Sequence, residues 1–302
     1  MKKLIFAVVL FVTCNILLAQ NDVQFSHYMF NEVTFNPAAT GNTESFDVSL
    51  LARQQWVGFD NSPSTQFING HTLLKKQNSG IGFSVVNDKL GFENSLNFKL
   101  MYAYHIRLAE KSHLAIGAGL GFINRSIDGS DLVYEEMDDM YALKTDKSEL
   151  VPDFDFGMEL SIKKLRFGIS STHVQQSEAS SSIKVPRHFY AYGKYTIDLN
   201  EKMAIVPCFR VKSTQYITQV DASALFQYNN LFWAGVSYRL NDAYVGLVGF
   251  NLTKQLKFGY SYDMDASEIK KYSSGSHEIF LTYAFKSFNK TPVQIKSPRL
   301  FN

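Results

Sequence analysis

Apolar and polar residues alternate with a period of two along most of this chain. The clearest run places Leu96, Phe98, Leu100, Tyr102, Tyr104, Ile106 and Leu108 on one face. Asn97, Lys99, Met101, Ala103, His105 and Arg107 fall on the other. Successive strand side chains point to opposite faces, so the pattern predicts a strand with one greasy side and one polar side. About fourteen such stretches lie between residues 44 and 288. They are predicted near 44–56, 64–74, 80–88, 94–108, 112–124, 152–162, 165–173, 187–199, 202–212, 216–228, 231–240, 243–251, 255–264 and 277–287. Several have the length of about 9 to 11 residues with which a tilted strand crosses a bilayer.

The joins between these stretches alternate in length. Lys163-Lys164, Asn200-Glu201, Asn229-Asn230 and Thr253-Lys254 are tight turns. Val57 to Pro63, Asn87 to Glu93, Asn124 to Val151, His173 to Pro186 and Met264 to Ser276 are mostly longer and richer in Ser, Asp and Gly. A soluble sandwich has no reason to sort its loops by parity. A bacterial outer-membrane barrel does, with short periplasmic turns, long outward loops and an even strand count that brings both strand termini to the periplasmic side. The predicted fold is therefore an all-β antiparallel transmembrane barrel of about fourteen strands. Its greasy faces meet lipid and its polar faces, including Asp153, Asp155 and Glu159, meet a watery lumen. Pro207 lies inside a predicted strand and cannot donate to a ladder, so a bulge is expected there.

The first residues supply a compartment. Lys2 and Lys3 precede an apolar run, and Leu17-Leu18-Ala19 offers a cleavage site, so residues 1–19 read as a secretory signal peptide. Phe11-Val12-Thr13 lacks the small residue expected before a lipidated cysteine, which argues against anchoring through Cys14. Residues 20–43 form a segment ahead of the barrel, either periplasmic or plugging the lumen, and residues 289–302 form a periplasmic tail. Of 30 basic residues, Lys2 and Lys3 leave with the signal, so 28 remain against 28 acidic ones. A neutral balance gives no nucleic-acid footprint. Cys208 is the only cysteine after residue 19, so no internal disulfide can form. No later apolar run approaches the roughly 20 residues of a spanning helix. The 25 Phe and 16 Tyr suit the aromatic girdles of a barrel.

Particular strings recur that periodicity does not demand. Gln24-Phe25-Ser26-His27-Tyr28-Met29-Phe30-Asn31 is followed by Asn36-Pro37-Ala38 and Gly41. Arg53-Gln54-Gln55-Trp56-Val57-Gly58-Phe59 is followed by Gly80-Ile81-Gly82, Tyr102-Ala103-Tyr104-His105 and Pro152-Asp153-Phe154. Gly259-Tyr260-Ser261-Tyr262-Asp263, Gly275-Ser276-His277-Glu278-Ile279 and Ser297-Pro298-Arg299 complete the set. In this order the strings resemble the PorP/SprF family of type IX secretion and gliding-motility outer-membrane proteins. Ser126 to Glu149 and Val174 to Lys184 carry no family string. The resemblance implies an outer-membrane component that works with type IX secretion machinery. It also implies partners among secretion components and large surface proteins such as adhesins.

Candidate site residues follow from exposure and chemistry. Phe25, Tyr28, Met29 and Phe30 would be costly to leave in water, so their segment is expected to dock either in the lumen or onto a partner. Trp56 and Phe59 fall at the outward end of the first strand, as an interface anchor or a cargo contact. Arg299 belongs to the tail string and is a further candidate for partner contact. Ser276, His277 and Glu278 are neighbours whose side chains alternate between faces, so they form no triad by themselves. The acidic stretch Asp128, Asp131, Glu135, Glu136, Asp138, Asp139, Asp146 and Glu149 lacks a calcium-loop pattern, and the histidines lack zinc spacing. No cofactor and no enzymatic activity are expected. A passive or substrate-selective pore stays open as the alternative function.

Overall fold

The computed structural model describes residues 22–129, 145–175 and 185–285. Period-two alternation over these residues produces fourteen antiparallel strands in simple meander order. They are β1 (Phe46–Gln54), β2 (Ser64–Leu74), β3 (Ser79–Leu90), β4 (Glu93–Ala109), β5 (Ser112–Ile127), β6 (Lys147–Ile162) and β7 (Leu165–Thr172). The series continues with β8 (His188–Tyr195), prolonged beyond Thr196 by Ile197–Asp198, and β9 (Met203–Ser213). It ends with β10 (Thr218–Tyr228), β11 (Phe232–Arg239), β12 (Ala243–Asn251), β13 (Leu256–Asp265) and β14 (Ser276–Phe285). Each strand pairs with the next, and β14 returns to β1 in a register running from Phe46 opposite Phe285 to Gln54 opposite His277. Closure leaves no free edge for another chain to extend.

Outward positions are apolar and bare. Leu100, Leu120 and Val236 keep 55%, 57% and 67% of their surface, whereas inward Lys99, Asp155 and Glu159 are buried. A band of exposed Leu, Phe and Val that circles a closed barrel is a lipid-facing surface. Exposed tyrosines border it, among them Tyr195 near one end and Tyr238 and Tyr244 near the other. No helix among the described residues is long and apolar enough to cross a membrane.

Short joins at 75–78, 110–111, 163–164, 199–202, 229–231 and 252–255 share the end at which β1 begins, and the longest joins lie at the opposite end. Two predicted loops are shorter than expected. The 87–93 region is strand on both sides of a turn at Gly91-Phe92, and the 124–151 loop yields ladder as far as Ile127 and again from Lys147. Polar residues hide these extensions from the alternation. Arg125 opposite Glu149 and Ser126 opposite Ser148 continue the hairpin once a partner strand is available. β4 has 17 residues, beyond the roughly 9 to 11 that span lipid, so the wall rises past the bilayer on its long-loop side.

The expected bulge at Pro207 is also corrected. Pro207 pairs with Ala224 of β10 in an unbroken register. On its other side β8 pairs from Cys208 opposite Lys194, then resumes at Ile205 opposite Ile197, with the same offset and a gap between. The missing proline N–H is met by an interruption at Thr196, whose own N–H donates to the Lys164 carbonyl at 3.1 Å.

Candidate functional site: a lumen filled by the amino-terminal segment

Residues 22–43 run through the inside of the barrel. The segment is built from three short 3-10 turns, Tyr28–Phe30, Glu32–Thr34 and Pro37–Ala39. Asn36 starts the last of these. Its Oδ1 accepts the Ala38 N–H at 2.9 Å, and Pro37 stands where no donor is needed. The Asn36 Nδ2 donates to the Met158 carbonyl at 3.1 Å, tying the turn to β6.

Contacts along the segment fix its direction. Asp22 N–H donates to His188 Nε2 at 2.9 Å, at the long-loop end of β8. Thr40 carbonyl lies 2.9 Å from His105 Nε2, near the short-turn end of β4. The chain therefore descends the lumen and leaves it beside the start of β1. Asp22 stands at the end opposite the short turns, so the start of the described chain does not share the side on which β1 begins. The watery lumen expected from the strand pattern is instead a packed interior.

Four of the seven residues singled out from sequence meet inside the barrel. Phe25 packs edge-on to Phe67 with ring centres 5.0 Å apart. Tyr28 hydroxyl lies 2.9 Å from Ser223 Oγ, beneath the Arg210 guanidinium at 4.6 Å. Met29 is buried in the same cluster, and Phe30 packs at a tilt against Trp233 with ring centres 4.6 Å apart. Their apolar surface is thus spent on the wall. Trp56 and Phe59 lie elsewhere, in the join between β1 and β2, where Phe59 is 46% exposed. Trp56 takes a left-handed φ of 47° and its N–H donates to Ser276 Oγ at 3.1 Å. Arg299 lies outside the described residues, as do residues 130–144 of the acidic stretch.

A buried ion network clamps Ser26 and His27. Arg53 donates to Asp263 at 2.7 Å and to Glu278 at 3.3 Å. Arg239 reaches Asp263 and Asp221, each at 3.0 Å, and Arg210 reaches Asp221 at 2.9 Å. Ser26 Oγ donates to Asp263 at 2.9 Å, and Glu278 accepts the Ser26 and His27 backbone N–H groups, each at 2.8 Å. Glu278 also lies 2.6 Å from His27 Nδ1. Burying so much charge is costly unless every group is paired, and here the strands supply the partners. On the opposite wall Lys99 bridges Asp153 at 2.9 Å and Asp155 at 2.6 Å. Lower down, Glu159 accepts from Tyr192, and Glu32 pairs with Lys194.

His277 and Glu278 diverge, as alternation requires: Glu278 faces the segment while His277 Nδ1 lies 2.7 Å from Tyr260 Oη. Ser276 Oγ accepts from Trp56. Arg53 and Asp263 stand in the family strings, but their pairing with each other and with Arg239, and the place of Trp233 against the segment, are not legible there. The ionic residues signal only charge at inward strand positions, which alone does not separate a solvated lumen from a packed one.

The described residues line a cavity at each end of the segment. One of about 130 Å³ opens at the long-loop end between Asp22, Glu93, Arg125, His173 and His188. The other, about 150 Å³, lies at the short-turn end between Glu32, Asp47, His71, Lys194 and Lys257. They share no lining residue, and the segment lies between them.

A closed fourteen-strand barrel with a lipid-facing apolar belt defines an outer-membrane β-barrel protein. Solved barrels share the architecture at low identity. The toluene transporter TbuX of Ralstonia pickettii is 9% identical, with 83% of this chain and 92% of that one covered at a TM-score of 0.54. The CymD monoaromatic hydrocarbon channel is 12% identical, with 85% and 93% covered at 0.54, and Omp33 of Acinetobacter baumannii is 11% identical, with 80% and 98% covered at 0.50. These likenesses establish the fold. No curated protein matches the chain. The family model for the type IX secretion system membrane protein PorP/SprF matches residues 17–283, and the chain belongs to that family.

Proposed function

We propose that this type IX secretion outer-membrane component works as a sealed docking frame, supporting secretion or surface attachment of large cell-surface proteins such as adhesins. The observation that carries the reading is the lumen. It is occupied by residues 22–43, whose backbone and side chains are bonded to the wall from Asp22 to Thr40. A barrel so filled offers partners its rims. At the long-loop rim, the tall β4–β6 wall and the Trp56 to Phe59 join present a surface to a client, and loop variation sets which client is held. The short-turn rim, which this reading assigns to the periplasm, faces the other secretion components.

The test is display of a large secreted surface protein in cells that carry the barrel or lack it, together with purification of the barrel from outer membranes. Loss of display without the barrel, and co-purification of the displayed protein with it, support the reading. Normal display in its absence, combined with uptake of small solutes through the purified barrel, would favour the alternative of a substrate channel.

A further inference from the structure

The histidines that lack zinc spacing along the chain are brought together by the fold. His173 follows β7, His188 opens β8, and Asp22 arrives from the lumen segment to face both. We propose that Asp22, His173 and His188 form a site for a divalent transition-metal ion of the zinc class at the long-loop mouth of the lumen, and that the ion pins the start of the segment to the wall.

One ligand atom from each residue lies within 4.8 Å of the others, and Asp22 Oδ2 stands 3.5 Å from His173 Nε2. A tetrahedral zinc ion with bonds of about 2.0 to 2.1 Å holds its ligand atoms roughly 3.3 Å apart, so closure draws the three side chains together and frees His188 Nε2 from the Asp22 N–H. Two histidines and one carboxylate are a common ligand set for such ions, with positions left for water.

The surroundings orient all three ligands. His188 Nδ1 lies 3.0 Å from the Pro186 carbonyl, which can only accept, so Nδ1 carries the proton. The other nitrogen, Nε2, is therefore the acceptor; it takes the Asp22 backbone N–H at 2.9 Å, and an ion bound there replaces that hydrogen bond. His173 Nδ1 lies 2.9 Å from Asp153 Oδ1, leaving Nε2 toward Asp22. Tyr190 hydroxyl donates to Asp22 Oδ2 at 2.7 Å. A carboxylate behind one histidine, a carbonyl behind the other and a hydroxyl on the acid are the outer partners that metal ligands require. The adjoining cavity gives an entry path. By contrast the neighbouring trio of Asp153, Asp155 and His173 is already closed on the Lys99 ammonium and has no room for a second cation.

The experiment uses the untagged mature protein in detergent, stripped with EDTA and equilibrated with Zn²⁺ alone, with bound metal counted by mass spectrometry. One zinc per chain is expected. His188→Gln and Asp22→Asn should each weaken binding by more than tenfold, since losing even an outer partner costs about 10- to 100-fold. Asp22 belongs to no strand ladder, so Asp22→Asn keeps the test readable where a histidine variant fails to fold. Zinc should also slow chymotrypsin cleavage after Phe25 in the wild type and leave Asp22→Asn unchanged. Absence of stoichiometric uptake by the wild type, or equal uptake by both variants, would overturn the site.

Discussion

The seating of the lumen segment rests on a few wall positions where no side chain fits, and these give a sharp test. A Cβ placed on Gly117 would lie 2.3 Å from the Ala38 nitrogen and 2.4 Å from the Pro37 carbonyl carbon. At Gly80 it would lie 1.9 Å from the Thr40 oxygen. In each case the obstacle is backbone of the segment itself, which cannot rotate away as a side chain would. Gly246 is also a strand glycine, but a Cβ there meets nothing within 4 Å. Inserting a methylene into a packed interior costs about 1–3 kcal/mol. If Gly117→Ala and Gly80→Ala charge that cost only to the seated state, the seated-to-released ratio falls about 5- to 150-fold. The assay is chymotrypsin digestion of detergent-folded barrel, with mass spectrometry of cleavage after Phe25, Tyr28, Phe30 and Phe35. Cleavage tracks the open population when release is fast relative to cutting, so its rate should rise by the same factor in both variants and stay at the wild-type value in Gly246→Ala. Equal cleavage in all three variants and the wild type would refute a segment packed against those glycines.

Four further variants have expected outcomes. Glu278→Ala removes a partner of Arg53 and of the Ser26 and His27 N–H groups, so it should cost about 3–5 kcal/mol, read as a lowered temperature for loss of the folded electrophoretic form. Glu268→Ala, which breaks only the exposed pair with Lys271, should cost about 0–1 kcal/mol in the same assay. In EDTA-treated protein, burial and Lys99 push His173 down, yet the hydrogen bonds to Asp153 and Asp22 and the Asp22 charge outweigh them and raise it from 6.5 to about 9. Asp22 is pushed up by burial but held well below 3.8 by its bond to His173 and the nearby positive charges. A raised His stabilises fully below 6.5 and loses that contribution as pH climbs through 9, while a depressed Asp loses its own only on strong acidification. The melting difference between wild type and His173→Gln should therefore be largest between about pH 4 and 6.5 and fall to a pH-independent remainder above about 9; a difference that grows toward alkaline pH would contradict the pairing. Phe59→Ala should reduce retention of the surface client without moving the melting temperature, because Phe59 is exposed and outside the lumen.

Strand positions are legible because lipid favours apolar residues at outward positions of a barrel, and the run from Leu96 to Leu108 shows that rule directly. The sorting of long and short joins was legible for a related reason: only one rim carries long loops. The hairpin extensions at Arg125–Glu149 were not, since outside lipid a paired strand needs no apolar face. The apolar weight of Phe25 to Phe35 showed that this segment seeks cover. Its cover is Trp233, Phe280 and Phe67, which come from β11, β14 and β2, and only closure of the barrel brings those strands around one axis. Likewise Asp22, His173 and His188 are separated by too much chain for any spacing rule to join them.

Closure of the lumen by residues 22–43 is tested most directly by electrical recording. Purified wild-type barrel inserted into a planar bilayer should carry no steady ohmic current, while a variant lacking residues 22–41 should insert with open steps. Wild-type barrels that conduct with the same unit steps as the deletion variant would contradict the account.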